Sequence, residues 1–229
     1  MIPDAPTVPR LPVARQPESL ELGDYDYLRL PQFQGGQLRR FVTRWASLGA
    51  PKDILRVVSG YSVPFVRKSP LAPLTTAAVS RFATPSSLDM DSSIATMLSS
   101  GIAQQTAADT GFLSRLFLVS KPDGWKRPIF NLKRLNAFLR PRRFRLISHF
   151  GVPRFLQPNY FLVKLDLSQA YNHVSTKESH RRFLVFSYRG VSYNMTCLPF
   201  GLASAPQIFA AVTNWVAAEL RRRGMRVIV

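Results

Sequence analysis

One carboxylate in this sequence stands out by its setting. Asp166 closes the run Phe161-Leu-Val-Lys-Leu-Asp166, an apolar stretch of strand length, and Tyr171 follows after Leu-Ser-Gln-Ala. A carboxylate at the end of a buried strand is costly unless it is paired, hydrogen-bonded or bound to a cation. A second stretch, Leu198-Pro-Phe-Gly-Leu-Ala-Ser-Ala-Pro206, puts a Pro-Phe-Gly turn immediately before a long helical pattern. A strand-end carboxylate opposite a helix N-terminus suits the gripping of a metal-bound nucleotide. The plainer reading of a single Asp is a turn or a cap.

The elements that must position these residues follow from periodicity. Tyr160 to Asp166 reads as a central strand, and Phe183–Phe186 and Val191–Met195 flank Arg189-Gly190 as a hairpin. Ser204 is expected to cap a helix with Pro206 at its second position. Ile208, Phe209, Val212, Trp215, Val216 and Leu220 lie along one face, and Arg221–Arg223 with Gly224 form its end. Ser175 or Thr176 is expected to cap a short helix over 177–181, and Met225–Val229 begins a further strand.

Upstream, Phe112–Val119, the turn Pro122-Asp123-Gly124 and Trp125–Phe130 read as a hairpin. Helices are predicted from Leu38 to Leu48, over Ile54–Val58, and from an Asp91 cap to Gly101, with Tyr61–Phe65 a short extended segment. The stretch between Arg67 and Ser87 offers little to assign. Residues 1–35 carry six prolines without sustained periodicity and read as an extended leader, closed by Gly35-Gly36.

Composition narrows the partner class. Lys and Arg total 31 against 13 Asp and Glu, a formal charge of +18, and 46% of residues are hydrophobic. That is enough apolar material for a core, and a charge balance that points to a polyanion, most simply nucleic acid. Between Lys121 and Arg145 nine basic residues face the single acid Asp123, interleaved on the hairpin with Phe117, Trp125 and Phe130. Arg134 to Arg145 reads equally well as a solvated face. Cys197 is the one cysteine, so no internal disulfide forms. No apolar run approaches a membrane span and the first thirty residues hold no signal-peptide core, so an intracellular protein is expected, cytoplasmic or nuclear.

With these residues assembled, a resemblance is visible. Val-Lys-Leu-Asp166-Leu-Ser-Gln-Ala-Tyr171 resembles the first catalytic motif of reverse transcriptases, and Leu198–Pro206 resembles their motif B. Phe117-Leu-Val-Ser-Lys121-Pro-Asp-Gly-Trp-Lys-Arg127-Pro-Ile-Phe-Asn131-Leu-Lys-Arg-Leu-Asn136 is similar to their fingers hairpin, particularly in DIRS-type and gypsy-like retrotransposons. The segment from Gly35 to Phe65 is similar to the region preceding the DIRS-type polymerase. The resemblance covers about residues 35–229.

It implies an α+β fold, an antiparallel sheet backed by helices, made of fingers and part of a palm. The implied organisation is a leader (1–35), a helical pre-fingers region (36–110), fingers (111–159) and a partial palm (160–229). The activity implied is RNA-directed DNA polymerisation on a template–primer with deoxynucleoside triphosphates. Asp166, joined by the carbonyl of Leu167, would ligate two Mg²⁺ ions. Lys121 and Arg127 would hold the β- and γ-phosphates, and one extra residue after Trp125 leaves Lys126 or Arg127 as the clamp. Tyr171 would exclude a 2′-hydroxyl, Phe200 and Gly201 would meet nucleotide and template, and Leu167, Ser168, Gln169 and Ala170 would complete the nucleotide-binding run.

There are departures from the family pattern. Gln169 stands where many relatives have Asp, and Asn172 where many have Phe. The Tyr-x-Asp-Asp hairpin expected after a strand such as Arg226–Val229 lies outside the sequence, and Asp123, Glu178 and Glu219 are not placed to replace it. The 229 residues are therefore expected to be a truncated enzyme, inactive by itself or completed by a polypeptide carrying that hairpin. The rival expectation is a non-catalytic, basic nucleic-acid-binding protein derived from a retroelement.

Overall fold

The computed structural model describes residues 33–67, 70–120, 126–140, 144, 149–159 and 161–229. The leader reading for residues 1–32 and the Pro-Asp-Gly hairpin tip lie outside these, as do Lys121 and Tyr160. Helices and short antiparallel sheets alternate, an α+β fold, and residues 33–229 form a single unit.

A 3₁₀ turn over Gln37–Phe41 runs into helix α1 (Val42–Ser47), followed by α2 (Lys52–Ser59). The predicted helices are present here. Ile54 and Val58, one turn apart, are buried with Ala50 and Val212, and the Trp45 and Trp215 rings meet at 5.1 Å. The stretch that gave no pattern holds strand β1 (Ala72–Pro73) and helix α3 (Thr76–Arg81), whose cap is Thr75. The next helix, α4 (Leu88–Ser99), starts a turn earlier than Asp91 implied. Ser87 accepts the Met90 N–H at 3.1 Å and is the cap, while Asp91 accepts from the Tyr188 hydroxyl and pairs with Arg189. Met90, Ile94 and Met97 form its buried face.

Strand β2 (Ala103–Gln105) pairs with β7 (Val191–Met195), which pairs in turn with β6 (Val185–Tyr188), all antiparallel. Arg189 and Gly190 turn β6 into β7 with φ of 48° and 76°, the two left-handed residues of a two-residue hairpin. Strand β3 (Thr110–Gly111) pairs with β1. The fingers-like hairpin is β4 (Leu116–Ser120) against β5 (Lys126–Phe130), in register Val119↔Arg127 and Ser120↔Lys126. Helices α5 (Lys133–Asn136) and α6 (Glu178–Arg181) are single turns, and α7 (Ala205–Arg222) is the long final helix.

The main core draws on most of these parts, beside the smaller cluster around Ile54 and Val58. Leu116, Phe130, Leu135, Leu184, Phe186, Leu198 and Leu202 are each at most 2% exposed, and Met90 and Tyr61 join them. Three expectations give way. Ser175 and Thr176 do not cap α6, whose cap position is Lys177; both are buried, and they form bridges to Cys197 and Tyr61. Met225–Val229 forms no strand.

The third correction concerns the central strand. Phe161–Leu167 forms none, and its apolar side chains face solvent, Val163 at 84% and Leu165 at 87% exposure. A strand exists only through ladder bonds to a neighbour, and no described segment pairs with this one.

Candidate nucleotide site

The site is assembled from the foot of the hairpin, a 3₁₀ turn and the entry to α7. Successive residues of a strand point to opposite faces, and this separates Lys126 from Arg127. Lys126 forms an ion pair with Asp89 on α4. Arg127 places its guanidinium over the Phe200 ring, 4.8 Å from the centroid, and no carboxylate among the described residues pairs with it. Of the two cations, Arg127 is therefore the one on the Phe200 side.

Tyr171 sits in the 3₁₀ turn Ala170–His173, half-buried against two rings. Phe200 lies 4.7 Å away and Phe209 5.7 Å, centroid to centroid. Burial raises the Tyr171 pKa, and the nearby Arg127 charge works against that rise. An aromatic platform with a cation over one edge results.

Gly201 follows Phe200 at φ 105°, and a Cβ there would stand 2.0 Å from the Phe130 carbonyl oxygen. Only glycine fits. The Phe130 N–H donates to the Phe200 carbonyl at 3.1 Å, so the last residue of β5 is fastened to the turn. Asn136 holds the turn from the other side: its Nδ2 donates to the Gly201 carbonyl and its Oδ1 accepts from the Ala203 N–H, both at 2.9 Å. Asn136 closed the hairpin motif in the sequence, but its grip on a turn 65 residues away carried no local signal.

Ser204 occupies the cap position of α7 and Pro206 the second helical position, as expected, but the serine side chain makes no capping bond. It accepts instead from the Tyr61 hydroxyl at 2.8 Å. Burial pushes the Tyr61 pKa up to about 12, opposed by that hydrogen bond. Tyr61 thus fixes the start of the helix.

Gln169 is the one site residue with strained backbone, at φ 55°. Its Oε1 accepts from Asn172 Nδ2 at 2.7 Å, and its carbonyl accepts the Asn172 N–H at 2.8 Å. The two departures from the family pattern thus satisfy each other. Asn172, 7% exposed, also offers its carbonyl to the Gly36 N–H. The Ser168 carbonyl lies 3.0 Å from His173 Nε2, and Ala170 opens the turn.

The structure brings together Arg127, Tyr171, Phe200 and Gly201. Asp166 and Leu167 are instead on the exposed segment before the turn, without strand support. Among the described residues no three His, Cys, Asp or Glu side chains cluster as metal ligands, so the residues present do not fit a two-ion centre. No helix among them is long and apolar enough to cross a membrane.

Comparison with known proteins agrees with the motif positions. The family model for reverse transcriptase (RNA-dependent DNA polymerase) matches residues 119–229. The Transposon Tf2-3 and Tf2-4 polyproteins of Schizosaccharomyces pombe are each 26% identical over 125 residues, 54% of this chain and 9% of theirs. Among solved structures, the foamy viral protease-reverse transcriptase dRH in complex with ds DNA aligns over 69% of this chain and 27% of its own, with 16% identity and a TM-score of 0.49. The native prototype foamy virus protease-reverse transcriptase aligns over 76% and 21%, with 19% identity and a TM-score of 0.48. The match of residues 119–229, just under half of the chain, to the reverse transcriptase (RNA-dependent DNA polymerase) model and the similarity to the Tf2 polyproteins together indicate a reverse transcriptase domain of a retroelement.

Proposed function

We propose that the chain carries the nucleotide grip and the first catalytic carboxylate of an RNA-directed DNA polymerase. The observation that supports it best is the assembly of Arg127, Tyr171 and Phe200 around a turn that only Gly201 can make. In this reading Arg127 bonds the triphosphate through its planar fork, with Lys121 as a second cation. Tyr171 carries the sugar and disfavours a 2′-hydroxyl, Phe200 and Gly201 meet base and template, and the backbone from Leu167 to Ala170 borders the phosphates. Asp166 contributes one metal-binding carboxylate. Divalent metal, which the family uses to activate a primer hydroxyl and neutralise the leaving group, needs further carboxylates than the described residues bring to this place.

A polypeptide of residues 1–229 therefore binds an RNA–DNA template–primer and does not extend it. The missing ligands come from a segment or partner polypeptide bearing Tyr-x-Asp-Asp. The solvent-facing Asp166 segment also supports the second reading, a basic retroelement-derived protein that binds nucleic acid without catalysis. A primer-extension assay with an RNA template tests the proposal. The expected result is a shifted template–primer with no added nucleotides; Asp166-dependent synthesis by residues 1–229 alone would contradict it.

A further inference from the structure

A wide cleft on the described surface is away from the nucleotide grip. A cleft of about 1330 Å³ lies between the pre-fingers helices and the start of α6, and none of its lining residues belongs to the grip. Four cations line it from three elements: Arg39 from the 3₁₀ turn, Lys52 and Arg56 from α2, and Lys177 from the cap of α6. All four are exposed, and no carboxylate among the described residues forms an ion pair with any of them. Asp53 and Glu178 also line the cleft, which leaves cations in excess by two.

The floor is fixed rather than loose. The Tyr61 N–H donates to the Ser175 carbonyl and the Lys177 N–H donates to the Tyr61 carbonyl, both at 2.8 Å, as a parallel bridge between two distant segments. That bridge holds Lys177 beside α2. Cations spaced at several points along a cleft suit a ligand that carries phosphates in series better than a single small anion.

We propose that this cleft is a second nucleic-acid site, which takes the sugar–phosphate backbone of a single strand. Its recognition is of backbone rather than base. The only aromatic in the lining, Tyr61, is 5% exposed with its hydroxyl already donated to Ser204, so no ring is free for stacking. Binding here is consequently independent of sequence and steep in salt. The site does not depend on Asp166 or Arg127, so the polymerase reading and this one fail separately.

Lysine acetylation read by mass spectrometry on residues 1–229 tests it, with an oligothymidylate 20-mer as probe. Lys52 and Lys177 are expected to lose most of their reactivity when the oligonucleotide is added at low salt and to regain it at high salt. Unchanged reactivity at both would overturn the proposal, and so would protection by polyglutamate but not by the oligonucleotide, which would assign the cleft to an acidic protein. Independently, the combined variant Arg39→Gln, Lys52→Gln, Arg56→Gln, Lys177→Gln is expected to lower the slope of log affinity against log salt by about 3. A slope equal to that of the unaltered protein would likewise overturn it.

Discussion

At the scale of single residues, the two faces of one strand separate cations that the sequence left equivalent. Arg127→Ala is expected to weaken deoxynucleotide binding about 10-fold or more, because it removes a cation held on the Phe200 ring. Lys126→Ala, which loses a surface ion pair with Asp89, is expected to change binding and stability little. A fluorescence titration with a labelled deoxynucleoside triphosphate distinguishes them, and equal losses would contradict the assignment. Gly201→Ala meets the Phe130 carbonyl at 2.0 Å and forces an L-residue to φ 105°, so a stability loss of about 2 kcal/mol or more is expected from urea unfolding. The need for glycine was legible from the Pro-Phe-Gly motif, whereas Asn136 was not. Its two hydrogen bonds reach a turn far along the chain, and no local pattern encodes such a partner. The Gln169–Asn172 bond shows the same limit, since each residue is unusual by itself and they make sense only together.

Elements were legible where the information that makes them is local. The β4–β5 and β6–β7 hairpins, α2 and α7 follow from turn residues and apolar spacing, and all are present. The start of α4 was misplaced because Asp91 and Ser87 are both competent caps, and only the tertiary partners Tyr188 and Arg189 draw Asp91 away. The segment Phe161–Leu167 failed for a different reason. Its composition is that of a strand, but a strand also needs a neighbour, and the alternation of residues carries no record of whether one is at hand. Backbone amides from Val163 to Leu167 are expected to exchange with deuterium at rates near those of an unstructured peptide, and protection comparable to β7 would contradict this. Leu165→Asp is expected to change unfolding free energy by less than about 0.5 kcal/mol, as its side chain is 87% exposed.

Across the whole molecule, a histidine on α6 ties that helix to the segment around Val63 and makes stability depend on pH. His180 Nδ1 accepts the Val63 N–H at 3.1 Å, with Phe65 and Phe183 against the ring. Burial first, then the charges of Lys177 and Arg182, hold its pKa below the usual 6.5. The unfolded chain therefore binds the proton more readily, so this contribution is complete above about pH 6.5 and is lost as pH falls toward the lower folded value. Thermal unfolding of His180→Gln is expected to lose that pH dependence; an unaltered profile would contradict it. The central claim is that Arg127, Tyr171, Phe200 and Gly201 form a deoxynucleotide grip, and ultraviolet crosslinking of labelled dTTP to residues 1–229, followed by peptide mapping, tests it most directly. The label is expected on the peptide containing Tyr171 or Phe200, suppressed by excess unlabelled dTTP more than by UTP, and absent in Arg127→Ala. Label found elsewhere, or unaffected by competitor and by that substitution, would contradict the account.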